Sequence, residues 1–276
     1  MSLGRKIGEG GTSEVFEWEG KSKILKLAKP NTKLSDIQRE FKNNFIAWNL
    51  GLSVPQPIEI IEVNNRPGII FERIVGKTIK ERLFKSFIKQ MNNPQPRIDL
   101  SDVQNTARLL SEIHELQHVE LRPQRELLKW QILNIKYLSD EEKTSVLKIL
   151  DQLPLKQQIC HGDPNPNNLI VRNDELVLID WNDATIGNPE ADVAEFIVMI
   201  KFAILPSDTP QSIVSIFESV RETIIEVFMN EYTVRTGVTY NDIDPWILPI
   251  AVRKLYADAI SEEEKQLLVN EIRERL

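Results

Sequence analysis

Cys160-His161-Gly162-Asp163-Pro164-Asn165-Pro166-Asn167-Asn168-Leu169-Ile170, followed by Leu178-Ile179-Asp180-Trp181, is the stretch of sequence on which the fold turns. Gly162 and the prolines at 164 and 166 predict an irregular loop of fixed shape. Leu169-Ile170-Val171, a turn at Arg172-Asn173-Asp174, and Leu176-Val177-Leu178-Ile179 then read as a hairpin that returns Asp180 towards Asn168. A carboxylate at Asp163 can orient an acceptor hydroxyl and take its proton. The amide oxygen of Asn168 and the carboxylate of Asp180 are hard oxygen donors that suit magnesium. These are group types that phosphoryl transfer requires, since it needs positioning and charge neutralisation more than covalent help.

Working upstream, Val15-Phe16-Glu17-Trp18 and Lys23-Ile24-Leu25-Lys26-Leu27 read as strands around a turn at Gly20-Lys21. Before them, Ile7-Gly8-Glu9-Gly10-Gly11-Thr12-Ser13-Glu14-Val15 can bring backbone amides close to phosphate oxygens through Gly8, Gly10, Gly11, Thr12 and Ser13. Lys26 lies in an apolar strand, where an ammonium without a partner is costly. Glu40, on the helix expected over about 35–50, is the natural partner, and the pair would aim Lys26 at nucleotide phosphates. That helix is expected to open on a Ser35/Gln38 capping box and to bury Ile37, Phe41, Phe45 and Trp48. A second hairpin is expected around Asn64-Asn65.

Beyond Gly76 the pattern turns helical. Capping boxes are expected at Ser101/Gln104, Ser139/Glu142 and Ser261/Glu264, with a polar loop over about 91–98. Asp192 is expected as the cap of an apolar helix, with hydrogen bonding to the catalytic loop as its other reading. His161 is expected to pack beneath that loop, and His114 and His118 to be structural or exposed. Cys160 reads as a small buried apolar residue.

Composition bounds the rest. With 276 residues the chain has room for two lobes, here 1–75 and 76–276. A net charge of -7 argues against a nucleic-acid surface and is compatible with a cationic small substrate. A single cysteine excludes an internal disulfide framework. The N-terminus shows no signal-peptide pattern and the chain has no long apolar run, so a cytoplasmic, membrane-free protein is expected.

Together these segments resemble the aminoglycoside phosphotransferase and choline kinase family, relatives of the protein kinases. The resemblance runs from Gly8–Val15 through Lys26, Glu40 and the hinge Phe71-Glu72-Arg73-Ile74-Val75-Gly76. It continues through His161-Gly162-Asp163, Asn168, Ile179-Asp180-Trp181 and Asn188-Pro189 with Asp192. It implies an α+β, bilobal kinase-like fold with a small β-rich N-terminal lobe and a larger helical C-terminal lobe. It also implies ATP and magnesium as cofactors. Asp163 would then be the catalytic base, Asn168 and Asp180 would hold the metal, and Glu72 and Ile74 would lie beside the nucleotide.

The acceptor is expected to be a small hydroxylated molecule, because few residues separate Asp180 from Gly187 and a peptide-docking segment has no room there. Asp183, Glu190 and Glu195 are candidates to face a cationic acceptor. The alternatives are a non-catalytic nucleotide-binding regulator of the same fold and, less favoured, a protein kinase.

Overall fold

The computed structural model describes residues 3–92, 98–118, 120–256 and 260–276. In chain order it opens with β1 (Lys6–Glu9), β2 (Ser13–Trp18), β3 (Lys23–Ala28), α1 (Leu34–Asn49), β4 (Pro57–Val63) and β5 (Arg66–Glu72). There follow β6 (Lys77–Thr78), α2 (Ile79–Asn92), α3 (Ser101–Ile113), β7 (Arg122–Pro123), α4 (Gln124–Asn134) and α5 (Asp140–Gln152). The chain then forms β8 (Gln158–Cys160), β9 (Leu169–Arg172), β10 (Glu175–Leu178), a 3₁₀ turn (Trp181–Asp183) and β11 (Thr185–Gly187). It ends with α6 (Pro189–Phe202), α7 (Gln211–Thr236), α8 (Tyr240–Lys254) and α9 (Glu262–Arg275).

These elements form two compact units. The first comprises the residues up to Lys77 together with Asn168–Ala184; the second comprises Thr78–Asn167 and Thr185–Leu276. The hairpin of β9 and β10 therefore belongs with the N-terminal strands, while the loop before Asn168 belongs with the helices.

In the first unit β1-β2-β3-β5-β4 make an antiparallel sheet. Alternation along β3 sends Leu25 and Leu27 to one face with Phe16, Trp18, Val63 and Ile70. The opposite face carries Ala28, Ile69 and Phe71 against Ile37 of α1. The Asn64-Asn65 hairpin forms as expected, both residues holding positive φ (51° and 59°), as a tight two-residue turn demands. Asn173 and Asp174 do the same between β9 and β10 (51° and 65°).

Two expectations about α1 fail. Ser35 does not cap it, because Lys33 is the first residue outside the helix and no side chain caps that end. Nor do Phe45 and Trp48 form its core stripe. They are 43% and 39% exposed, while Ile37, Glu40, Asn43, Asn44, Ile46 and Ala47 are buried. The inward side is polar because each of its polar groups has a partner, and hydrogen bonding removes the penalty that would otherwise turn it outward.

The second unit is a helical assembly around α6, of which every residue but Lys201 is buried. Its three buried carboxylates, Glu190, Asp192 and Glu195, each have partners, which lets the whole helix sit in the core. Phe196 stacks on Phe228 of α7 at 4.2 Å between ring centroids. A small sheet, β7-β11-β8, belongs to this unit as well. The Ser139/Glu142 box forms in full, and the Ser261 side chain accepts from the Glu264 amide. Ser101 is already helical and caps nothing, since α3 starts there and Leu100 precedes it. Of the loop expected at about 91–98, Met91 and Asn92 are the last residues of α2, and 93–97 lie outside the described residues. Among the described residues no helix is long and apolar enough to cross a membrane.

Gly76 marks the tightest backbone approach in the first unit, since a Cβ there would lie 2.1 Å from the Val171 carbonyl oxygen. Gly76→Ala must push β9 aside, at an overpacking cost of about 1–3 kcal/mol. It is expected to lower the thermal midpoint by a few degrees to roughly ten. Gly11→Ala, where a Cβ would meet nothing within 4 Å, is expected not to lower it. Calorimetry on the two variants checks the contrast.

Candidate active site

The first unit assembles its charged groups around Lys26. Val15 of β2 and Ile69 of β5 flank Lys26 in the sheet, and Lys26 shares the α1 side with Ile24 and Ala28. Its Nζ lies 2.6 Å from Glu40 Oε1 and 3.0 Å from Asp180 Oδ1. Burial alone would push the Lys26 ammonium towards neutrality. The Asp180 and Glu40 carboxylates outweigh it and hold the pKa above its ordinary value. Burial pushes the Glu40 carboxyl up, against the pull of Lys26.

Asp180 sits in the left-handed region (φ 66°, ψ 61°), an uncommon conformation for a residue other than glycine. The surroundings fix it there. The Ile179 amide donates to the Asn168 carbonyl (2.9 Å), so the residue before Asp180 is tied to the start of the hairpin. On the other side, Asn43 Nδ2 donates to the Trp181 carbonyl (2.9 Å), and Arg39 Nη2 donates to Asn182 Oδ1 (3.0 Å). The buried indole of Trp181 donates to the Leu178 carbonyl (3.0 Å). Thus α1 holds Lys26 through Glu40 and the Asp180 segment through Asn43 and Arg39. Asn43 and Arg39 are residues that sequence reasoning missed. Their only signal was a polar side repeating at helical spacing beside Glu40.

The glycine segment is a tight β1–β2 turn in which the Gly10 amide donates to the Ser13 carbonyl (2.8 Å). Neither packing nor a left-handed backbone demands its glycines. A Cβ at Gly8 would make only ordinary contact with Val15 (3.5 Å), one at Gly10 would find nothing nearer than 4.0 Å, and none of the three has positive φ. Thr12 anchors the turn, its carbonyl accepting from the Lys29 amide (2.8 Å) and the Thr32 hydroxyl (2.9 Å), and Ser13 is buried. The flanking acids are neutralised. Lys29 and Lys6 hold the Glu9 carboxyl at a pKa of about 2, and Glu14 is paired with Lys6 and Arg66. Of the hinge residues, Glu72 is bound to Arg172 (2.7 Å) and Ile74 is half-buried.

The second unit holds Asp163. Its amide donates to the ring Nδ1 of the fully buried His161 (3.2 Å), and its carbonyl accepts from the Asn165 amide (2.7 Å). Gly162 needs to be glycine, with φ at 82°. The loop is pinned from below by Asp192. That carboxylate accepts from the His161 amide (2.5 Å) and the Gly162 amide (2.8 Å), and His114 Nε2 lies 3.3 Å away. His114 Nδ1 in turn contacts the Tyr232 hydroxyl at 2.7 Å.

Asp192 does not cap α6. That helix begins at Pro189 after Asn188, so Asp192 is already a full turn inside, and its second reading, hydrogen bonding to the loop, is the one the structure shows. Cys160 is buried and burial pushes its thiol well up, which leaves it unreactive. His118 accepts from the Glu120 amide (3.2 Å).

Two of the acids expected to face an acceptor do not. Glu190 is buried against Lys156, and Glu195 is buried against Arg253 at 2.5 Å. Both pairs are internal, so these carboxylates are engaged before any ligand arrives.

Burial would raise the Asp192 carboxyl, yet the His114 hydrogen bond, the two histidines and the Gly162 amide hold it below the usual carboxylate range. A depressed folded value means that its stabilisation is complete above the unfolded value of about 4 and is lost as pH falls through the folded one. Asp192→Asn keeps the size but loses the charge and one acceptor for two buried amides. It is expected to cost about 2 kcal/mol or more at pH 7 and to flatten the fall in stability below about pH 4. Urea titrations of both proteins between pH 3 and pH 7 check this.

The chain matches the family model described as the phosphotransferase enzyme family over residues 4–210. No curated protein matches it in sequence. Among solved structures, it is similar to an amicoumacin kinase in complex with AMP-PNP, Ca²⁺ and its ligand, at 14% identity with a TM-score of 0.64, covering 98% of this chain and 86% of that one. It is similar to the choline kinase of Streptococcus pneumoniae at 16% identity with a TM-score of 0.62, covering 99% and 94%. A thermostable mutant of an aminoglycoside phosphotransferase shares 16% identity with a TM-score of 0.61, covering 99% and 89%. At these identities the likeness establishes a common kinase-like fold, whereas the family match spans most of the sequence. The chain therefore belongs to the phosphotransferase enzyme family.

Proposed function

We propose that this phosphotransferase is a small-molecule kinase that moves the γ-phosphoryl group of ATP, with magnesium, to a hydroxyl. The observation that carries this reading is the largely buried ammonium of Lys26, held between Glu40 and Asp180 in the same sheet as a glycine turn whose glycines the fold itself does not need. Glycines that neither packing nor backbone conformation demands leave room for a ligand to approach the backbone, and successive amides there suit phosphate oxygens.

Asn168 and Asp180 supply an amide oxygen and a carboxylate, a donor set that fits magnesium. When bound there, the ion would neutralise phosphate charge. Lys26 contacts the phosphates, kept charged and oriented by Glu40. Asp163 orients the acceptor hydroxyl and takes its proton as the acceptor oxygen bonds to the γ-phosphorus. The bond from that phosphorus to the β–γ bridging oxygen breaks, and ADP carries the electron pair away. His161 and Asp192 keep Asp163 on a fixed loop rather than touching the reactants.

A small acceptor fits the short passage after Asp180, where only residues 181–188 precede α6. A peptide-docking segment does not fit into that length. A buried free thiol and dependence on ATP suit the cytoplasm. A non-catalytic regulator is disfavoured, because every group the transfer needs is present.

Asp163→Asn is expected to cut turnover at least about 1,000-fold with ATP affinity little changed. Asp180→Ala is expected to remove the magnesium dependence of ATP binding. Slow ADP release without acceptor, together with calorimetric titration of ATP with and without magnesium, reads both. Undiminished turnover in Asp163→Asn would remove it as the base.

A further inference from the structure

The helical unit contains a cavity of about 210 Å³, all of whose lining residues belong to that unit. One wall is Asn165-Pro166-Asn167, the continuation of the Asp163 loop, and the Pro166 carbonyl is tied to the Lys80 amide at the start of α2 (3.1 Å). The other walls are apolar, with Phe84 and Phe87 of α2, Met199 of α6, Leu205 between α6 and α7, and Phe217 of α7 among them. The charged side chains in the lining are Lys80, Lys254 and Glu264. Glu264 already accepts from the Ile204 amide, and burial pushes its carboxyl up. The local balance is thus positive.

Resting on the kinase reading above, we propose that the acceptor is a hydroxylated molecule with an apolar ring or branched chain, neutral or anionic, and that this cavity receives its apolar part. An apolar cavity of about 150 Å³ holds a benzene ring, so this one has room for a substituted ring. Contact with the Asp163 loop places a hydroxyl on the same molecule within the reach of that loop. A polycation finds the wrong surroundings here. The cavity carries Lys80 and Lys254, its one carboxylate, Glu264, already accepts from the Ile204 amide, and the α6 carboxylates Glu190 and Glu195 are bound to Lys156 and Arg253. Bringing several ammonium groups against apolar walls without new partners is unfavourable.

The test uses 3-phenyllactate as the apolar, hydroxylated anion and kanamycin as the polycation. Binding of each to the full chain is followed by ligand-observed NMR, and ADP release is followed with ATP and magnesium. Phenyllactate is expected to bind and kanamycin not to. Ala203→Phe, which fills the cavity from a half-buried position, is expected to weaken phenyllactate binding at least tenfold. Phe84→Ala, which removes one wall, is expected to weaken it as well and serves if the first variant does not fold, as judged by thermal unfolding. Kanamycin binding or stimulating ADP release, no binding of phenyllactate, or phenyllactate binding unmoved by a folded variant would each overturn this inference. ATP binding and hydrolysis that do not depend on magnesium in the native chain would instead bring down the kinase reading itself.

Discussion

A buried ammonium needs a countercharge, and much of the first unit follows from giving Lys26 two. The strand that carries Lys26 also carries Leu25 and Leu27 into the core on its other face, so the lysine cannot turn outward without moving them. Its partners must come to it. Glu40 arrives on α1 and Asp180 at the end of a hairpin 154 residues further along the chain. Breaking such a pair by removing one member leaves a charge stranded, a cost of about 3–5 kcal/mol in comparable buried pairs. That constraint explains why α1 faces inward with Glu40, Asn43 and Asn44, a side that hydrophobicity alone would have assigned to solvent.

The second unit solves a different problem, which is to hold an irregular loop still. Gly162 turns the chain with a left-handed backbone, and two amides that no strand can satisfy are then exposed to the interior. Asp192 satisfies both, and His114 with Tyr232 supports it from behind. This arrangement requires α6 to be central, because a carboxylate can serve as a buried acceptor only where the surrounding helix is fixed.

The parts legible in the sequence are those whose physics is local. Both asparagine-rich hairpins, the strand pair around Gly20, the loop at 162–168 and the burial of His161 and Cys160 follow from turn chemistry and short-range pattern. Three misreadings share one cause, which is that a local signal was overruled by a distant partner or by the surrounding helix. Phe45 and Trp48 continue the helical spacing of Ile37 and Phe41, yet the core beyond those two lies on the side where Lys26, the Trp181 carbonyl and the Pro55 carbonyl await Glu40, Asn43 and Asn44. Ser35 and Ser101 look like caps because Ser-x-x-Gln occurs there, but both fall within their helices. Glu190 and Glu195 look like surface acids, and only the fold reveals that Lys156 and Arg253 reach them. The separation of the Asp163 loop from the Asn168 hairpin between two units left no trace in composition.

The first unit is discontinuous, and this has a consequence for the order in which the protein is made. A ribosome releases the sheet, α1 and Glu40 long before it releases Asn168–Ala184. Until then Lys26 has one carboxylate instead of two, the Ser53 carbonyl lacks the Leu178 amide that caps it, and Asn43 lacks the Trp181 carbonyl. The nascent N-terminal segment is therefore an incomplete fold while the ninety residues from Thr78 to Asn167 are made, with buried polar groups waiting on chain not yet synthesised. A gene fragment ending before residue 168 would encode all five strands of that sheet and still lack the means to close its interior.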